Sequence, residues 1–542
     1  MPESLGTYDY IIIGAGSAGC VLANRLSADA DVRVLLVEAG GKDDYFWIPI
    51  PVGYLFTIGN PRTDWCYRTE PDEGLNGRSL GYARGKVMGG CTSINAMVYM
   101  RGQKNDYAHW AELGNRGWTW DEVLPYFKRM EDYVHGEDEM HGSGGELPVQ
   151  ERRVNWEILD AWRDAAEEYG IPKIREFNRG DNFGNAYFQV NQRNGVRWNA
   201  VRAFLKPVEK RANLHVLSRA HVLKLRTEEK DGQKRVTGID LQLAGRGSVS
   251  ADARREVLLS AGAIGSPQIL QLSGIGNGRL LQQHGIRVLH DLPGVGENLH
   301  DHLQIRLQYK VHNTVTLNDR ARTLFGKLSM GLEYFLRHTG PLTMPPSQLG
   351  AFAKSDPSKA TANIEWHVQP LSLDKFGDPL HSFSAITPSV CNLQPSSRGF
   401  VRIASPDPHA HPAIKLNYLS TEEDKQVAID SIRITRRIMA TKALARFAPE
   451  EFRPGPRVES DQELVHAAGD LGSTIFHPVG TCKMGKDALA VVDDRLRVHG
   501  VKNLRIIDAS VMPRITSGNT NAPTMMIAEQ GAEFIRRDKG FL

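Results

Sequence analysis

Residues 8–20 read YDYIIIGAGSAGC, an apolar run from Tyr10 to Ile13 that stops at Gly14 and passes into small residues suited to a tight turn and a helix. A helix-like stretch follows from about Ser17 to Leu26, then a second apolar run, Val32 to Val37, ending at Glu38. Strand, glycine turn, helix, strand is the start of a parallel α/β unit. Within it, Gly14, Gly16 and Gly19 have a physical division of labour. The first permits the turn, the second lets a pyrophosphate approach backbone N–H groups, and the third allows close helix packing. Glu38 stands where a carboxylate accepts hydrogen bonds from ribose hydroxyls, and it would repel a 2′-phosphate, so NADP is disfavoured. The motif predicts dinucleotide binding without separating NAD from FAD.

Working outward, two further short apolar runs end in small or acidic residues: Val257 to Leu259 before Ser260-Ala261-Gly262, and Leu504 to Ile507 before Asp508-Ala509. Both read as buried strands ending at the same ligand-bearing edge, which makes the first domain discontinuous in sequence. Between them the texture changes. Residues 319–337 are helix-like, while 349–354, 362–369, 382–390 and 398–404 read as short strands, giving a second α+β domain with a mostly antiparallel sheet. A helix from about Glu422 to Ala445 carries Ile429, Ile432, Ile434 and Ile438 near helical spacing, a core face. The expected division is 1–150, 206–303 and 471–542 for the Rossmann-like dinucleotide domain, with 151–205 and 304–470 in the substrate domain.

Composition agrees with a packed globular chain. The 542 residues include 52 glycines, about 10% against ~7% in average usage, but only 28 prolines, and 41% hydrophobic residues suffice for a core. With 66 Lys plus Arg against 63 Asp plus Glu, the basic footprint of a nucleic-acid binder is missing. Five cysteines, the closest pair 25 apart, fit neither a disulfide framework nor a zinc ribbon and point to a reducing compartment. The N-terminus lacks a basic n-region, and no window holds the ~18 apolar residues of a membrane span. A cytoplasmic protein is expected, with peripheral contact to the inner membrane allowed.

Two more glycine-rich clusters, Arg84 to Asn95 and Gly262 to Gly276, favour FAD, because a single nicotinamide fold seldom needs them. Together with Gly294 to His302 and His477-Pro478-Val479-Gly480-Thr481-Cys482, they make the sequence resemble the glucose-methanol-choline family of FAD-dependent oxidoreductases, from about Tyr8 to Glu529. The resemblance, strongest toward choline dehydrogenase-like bacterial alcohol dehydrogenases and oxidases, implies FAD, an alcohol donor and hydride transfer to flavin N5. It implies cofactor contacts at Gly14, Gly16, Ser17, Ala18, Gly19, Glu38 and Ala39. A second group is Arg84, Gly85, Met88, Gly89, Gly90, Thr92, Asn95, Ala96 and Val98. The rest are Val222, Ala261, Gly262, Asp508, Ala509, Asn519, Pro523 and Thr524. Some relatives attach FAD through a histidine two residues after the Thr92 position; Ile94 stands there, so a non-covalent flavin is expected.

For chemistry, the resemblance makes His477 the base that removes the hydroxyl proton, a task neutral imidazole suits near pH 7. It makes Asn521 the donor to the substrate oxygen, with Asn519 in a capping and loop role. Phe476, Trp366 and Phe383 are expected to wall the substrate pocket. Gln304 occupies the place where choline oxidases carry a carboxylate for the trimethylammonium group, which predicts a small neutral primary alcohol. Tyr82 and Lys86, His300-Asp301-His302, His409-Ala410-His411 and Cys91 are set aside as a chance spacing, two metal-like pairs without further ligands and a packing residue; no metal is expected. The acceptor, oxygen or a quinone-like molecule, stays open. A hydroxynitrile lyase with a non-redox flavin and an NAD-dependent dehydrogenase are the alternatives.

Overall fold

The computed structural model describes residues 3–375 and 377–538; residues 1, 2, 376 and 539–542 of the expected segments lie outside it. The opening strand runs Glu3–Ile13 and pairs in parallel with Val34–Val37 on one side and Gly247–Leu259 on the other. Val34–Val37 in turn pairs in parallel with Leu214–Leu217, and Gly247–Leu259 with Leu504–Ile506. All four residues of Val34–Val37 are buried, as a parallel strand covered on both faces requires. An antiparallel meander, Ala220–Lys230, Gln233–Leu243 and Gly247–Leu259, with Val501–Lys502 paired in parallel to its middle strand, completes an eight-stranded sheet drawn from three separate regions of the chain.

The helix after the glycine turn spans Ser17–Leu26, as its small and apolar residues predict. It packs on the terminal helix Asn521–Asp538, where Arg25 pairs with Glu529 at 2.7 Å. Two helix beginnings far apart in sequence therefore meet beside the turn.

A second eight-stranded sheet is antiparallel throughout, ordered Glu450–Arg453, Gln308–Lys310, Ala385–Asn392, Ile364–Gln369, Leu349–Ala353 and Gly184–Tyr187, with Leu303–Arg306 linking Ala385–Asn392 to Gly472–Thr474. Glu157–Tyr169 and Glu422–Met439 pack against it, and Ile429, Ile432, Ile434 and Ile438 are buried in that contact. That second helix is shorter than expected, since a 3₁₀ turn, Lys442–Phe447, replaces its last residues. The expected helix at 319–337 is two helices, Leu317–Arg322 and Leu324–Arg337. Thr323 between them is extended, and its hydroxyl accepts from the Gly326 N–H. The run expected as a strand at 398–404 pairs outside the main sheet, Phe400–Arg402 against Ala413–Lys415. Among the described residues, no helix is long and apolar enough to cross a membrane.

Candidate active site

Where the two sheets meet, a cavity of about 650 Å³ extends from the Gly14 turn to His477. At its first end Gly14 has φ +98°, open to glycine without strain, and a Cβ there would lie 2.4 Å from the Ser260 carbonyl oxygen. A Cβ on Gly19 would strike the Gly14 carbonyl, so helix and turn pack as closely as the motif predicts. The second glycine cluster closes onto this turn: Gly90, at φ +52°, would bring a Cβ within 2.8 Å of the Gly16 Cα. The helix beginning at Ser17 has no side-chain cap at Gly16 and no acid in its first turn. Its first N–H groups thus have no side-chain partner, and Gly16, Ser17 and Ala18 line the cavity, a setting suited to an anion.

Glu38 lines this end, its oxygens accepting the N–H groups of Ala15 at 2.9 Å and Gly40 at 2.8 Å. Burial raises its pKa to about 7. A carboxylate oxygen has more than one lone pair, so acceptor capacity remains for hydroxyls. Ser17, Ala18, Ala39, Arg84, Gly85, Asn95, Ala96, Val98, Val222, Ala261, Gly262, Asp508, Ala509 and Thr524 also line the cavity. Asp508 is fixed there by the Gly262 N–H and the Ser266 hydroxyl, at 2.9 and 2.6 Å. Gly19, Met88, Gly89, Thr92 and Pro523 stand behind the wall. Thr92 donates to the Gly89 carbonyl and accepts from the Ala200 N–H, so its hydroxyl holds the loop rather than facing a ligand. Cys91, expected only to pack, lines the cavity with its sulfur 2.9 Å from an Arg84 nitrogen.

At the other end His477 is buried, and its environment fixes which nitrogen is basic. His302 Nε2 lies 3.2 Å from the Leu393 carbonyl oxygen, which can only accept. Burial lowers the His302 pKa to about 4, so the ring is neutral and its one proton sits on Nε2. His302 Nδ1 is then an acceptor, 3.1 Å from His477 Nδ1. His477 is also held neutral, its pKa driven well down by burial first and then by His302, His367 and Arg84. Its proton therefore sits on Nδ1, leaving a lone pair on Nε2. Asn519 Nδ2 donates to that nitrogen at 3.1 Å, while Asn519 Oδ1 is buried without a partner.

Asp301 holds both histidines in place. Its Oδ1 accepts the backbone N–H groups of His302 and His477, each at 2.8 Å. Its Oδ2 accepts the hydroxyls of Tyr82, Tyr418 and Thr474. Thr474 also accepts from the Phe476 N–H at 2.7 Å, and Phe476, lining the cavity, is held at φ +66°. That backbone conformation is unfavourable for an aromatic residue and turns the chain so that His477 enters the cavity.

The Arg84–Cys91, Asp301–His302 and Phe476–His477 segments thus converge from distant parts of the chain. The comparisons with known proteins fall on these same regions: residues 8–304 and 395–528 match the two family models described as GMC oxidoreductase. The chain is a GMC oxidoreductase. It is 40% identical to the alcohol dehydrogenase [acceptor] of Pseudomonas putida, covering 98% of this chain and 96% of that protein. Identity is also 40% to the oxygen-dependent choline dehydrogenase of Photobacterium profundum, covering 98% and 93%. Among solved structures, pyridoxine 4-oxidase from Mesorbium loti superposes with a TM-score of 0.88 at 33% identity, covering 97% of this chain and 98% of that one. FAD-dependent oxidation of a CH–OH donor is accordingly this GMC oxidoreductase's reaction, and FAD, as expected, is the dinucleotide. The uncapped helix start, the Gly16–Gly90 approach and Glu38 fit that group.

Three expectations are corrected. Asn521 does not face His477; it is the first residue of the terminal helix, and its Oδ1 accepts from the Ser17 hydroxyl at 2.7 Å, at the cofactor end. Asn519, assigned a loop role, stands beside His477 instead. Trp366 is in the core, its Nε1 bonded to the Thr435 hydroxyl at 2.8 Å. Side chains alternate along its strand, so His367 and Gln369 face the cavity and Trp366 faces the helix behind. Phe383 stacks on His381 and packs on Phe452 away from the cavity lining.

The sequence reading quoted Asp301 and His302 within a family motif but gave neither a role, and it did not single out His367. His300 and His302 are not a metal pair, since His300 Nε2 accepts the Ile515 N–H and its Nδ1 donates to the Asn298 carbonyl. Glu365, His367 and Cys391, of which His367 lines the cavity, do bring donor atoms within 4.8 Å of one another, a grouping that no spacing announced.

Proposed function

We propose that this chain oxidises a neutral primary alcohol to the aldehyde, with His477 Nε2 as the proton acceptor and Asn519 Nδ2 as the donor to the substrate oxygen. The observation that carries the reading is the directed chain Leu393 carbonyl, His302, His477, Asn519, whose last link sets the basic Nε2 and the Asn519 amide 3.1 Å apart in the cavity, so that an alcohol hydroxyl displacing that contact donates to the one and accepts from the other. FAD, when bound, accepts the hydride from the alcohol carbon.

As the hydroxyl proton passes to Nε2, the imidazolium formed is stabilised through Nδ1 by His302. Asn519 supports the growing negative charge on oxygen, a contact of the kind that lowers barriers most in a water-poor site. Burial keeps both histidines neutral before reaction, so the base is ready at neutral pH.

Neutrality of the substrate is supported by two cavity-lining residues of one strand, Gln304 and Arg306. Gln304 offers no charge to a quaternary ammonium. Arg306, a buried guanidinium whose pKa burial lowers only to about 10, repels one at pH 7. Non-covalent FAD is proposed on Ile94, which has no nucleophile. The same reading keeps the domain division given above. It places the protein in the cytoplasm, on five cysteines that are all free.

Anaerobic mixing of the holoenzyme with neutral primary alcohols and with choline tests it. The flavin absorbance should bleach with the neutral alcohols, one aldehyde forming per flavin, and acid precipitation should leave all flavin in the supernatant. A yellow protein that no alcohol bleaches would refute the redox reading, and choline reducing it best would refute the neutral substrate.

A further inference from the structure

The helix Leu324–Arg337 is inverted relative to an ordinary surface helix. Phe325 is 81% exposed and Leu324 74%, and Leu328, Leu332, Phe335 and Leu336 are each more than half exposed. At about 100° per residue these six fall within roughly a third of the helix circumference. The opposite face holds Met330 and Tyr334, both buried. One face packs on the protein and the other offers six large apolar side chains to the surroundings.

The patch does not stop at the helix. Phe335 stacks toward Phe46 with centroids 6.5 Å apart, and Trp47 stacks on Phe56 at 3.9 Å. Phe46, Leu55 and Phe56 are exposed, and Trp47, Leu55 and Phe56 also line the cavity, as do Lys327 and Met330 of the helix. The apolar surface and the mouth of the active-site cavity are therefore continuous.

Charge on the exposed side of the helix itself is basic. The acids of the helix and of the stretches beside it are turned to pairing: Asp319 caps Thr316 and accepts from Ser384, Glu333 pairs with Arg320 at 3.1 Å, and Asp44, near Phe46, pairs with Arg62 at 3.1 Å. Arg322, Lys327 and Arg337 are exposed at the edges. A ring of cations around Leu and Phe is the arrangement that seats in the headgroup layer of an anionic bilayer. A protein partner of matching flatness, including a second copy, would cover the cavity mouth, whereas a fluid bilayer leaves it open to apolar molecules.

We propose that this face docks on the surface of an anionic lipid bilayer, with the cavity mouth turned to the lipid, so that apolar alcohols and a quinone-like acceptor exchange directly between membrane and site. The docking itself is independent of the proposed reaction; only the identity of the traffic rests on it.

Flotation of the holoenzyme tests docking without turnover. Vesicles of phosphatidylcholine alone are compared with vesicles in which about one quarter is phosphatidylglycerol. The protein should float with the anionic vesicles. The variant Phe325→Gln/Leu328→Gln/Leu332→Gln/Leu336→Gln should retain flavin and its rate with a water-soluble alcohol and a dye, yet lose tenfold or more of its partition. Arg322→Gln/Arg337→Gln should lose about fivefold per cation removed, on anionic vesicles only. Wild type that stays unbound on both vesicle types, or binds both equally, overturns the proposal. A dimer in sedimentation that the four-residue variant dissociates, without flotation, would assign the face to a second copy.

Discussion

The direction of the hydrogen-bond chain behind His477 can be tested by two substitutions of one residue. In His302→Asn the amide Oδ1 falls near the old Nδ1 and can still accept from His477 Nδ1–H, but nothing donates to the Leu393 carbonyl. In His302→Gln the amide reaches the old Nε2 position and donates to Leu393, but His477 Nδ1 loses its acceptor. That acceptor matters most when His477 has become imidazolium. A hydrogen bond to a charged group contributes about 1.5–3 kcal/mol, and each 1.36 kcal/mol is tenfold, so His302→Gln should slow flavin reduction roughly 10- to 150-fold. His302→Asn should keep most of the rate and instead lose about 1–3 kcal/mol of stability from the unpaired buried carbonyl. The assay is anaerobic stopped-flow reduction at saturating alcohol, alongside urea denaturation of both variants. His302→Gln reducing as fast as wild type, or His302→Asn being the slower of the two, would refute the tautomer assignment and with it Nε2 as the base.

Other outcomes follow from the same geometry. Asn519→Ala removes a donor aimed at the reacting oxygen and should cost about 10²–10³ in the reduction rate with flavin still bound. Asn521→Ala breaks the contact with Ser17 and should lower flavin retention while sparing the rate; the reverse pattern would restore Asn521 to the chemistry. Stability should fall in acid, because the His302 pKa lies at about 4 when folded and near 6.5 when unfolded. The unfolded chain therefore binds a proton that the folded one refuses. Stability present above pH 6.5 is lost as pH falls toward 4, by about 3 kcal/mol from this group. The groups facing His302 are His477, His367 and Glu365, and the first is shifted the same way. Denaturation midpoints across that range should flatten in His302→Asn; an unchanged slope would mean that other groups set it.

How far the sequence reached differs between the two ends of the cavity. The turn at Gly14, the helix Ser17–Leu26, the buried runs at Val34–Val37 and Val257 to Leu259 and the acid at Glu38 are local consequences of residue type and spacing. A strand must alternate or bury, a turn needs glycine, and a helix start without a cap leaves its N–H groups open. Those rules operate over a few residues, so the chain itself carried the cofactor half of the site, and His477 was marked by the motif around it.

The substrate half was decided elsewhere. Whether Asn519 or Asn521 meets His477 depends on how the loop enters the terminal helix, and two residues of helix turn a side chain by about 200°. Trp366 and His367 are neighbours on one strand, and only the packing of the helix Glu422–Met439 on one face determines which points inward. His302 and His477 stand 175 residues apart and touch because both backbone N–H groups share one oxygen of Asp301. The run 319–337 reads in sequence only as helix-like; that the apolar face of Leu324–Arg337 turns outward is set by the fold. Local physics wrote the motif, and tertiary packing chose the partners, because hydrogen-bond direction and side-chain facing exist only once distant segments share a site.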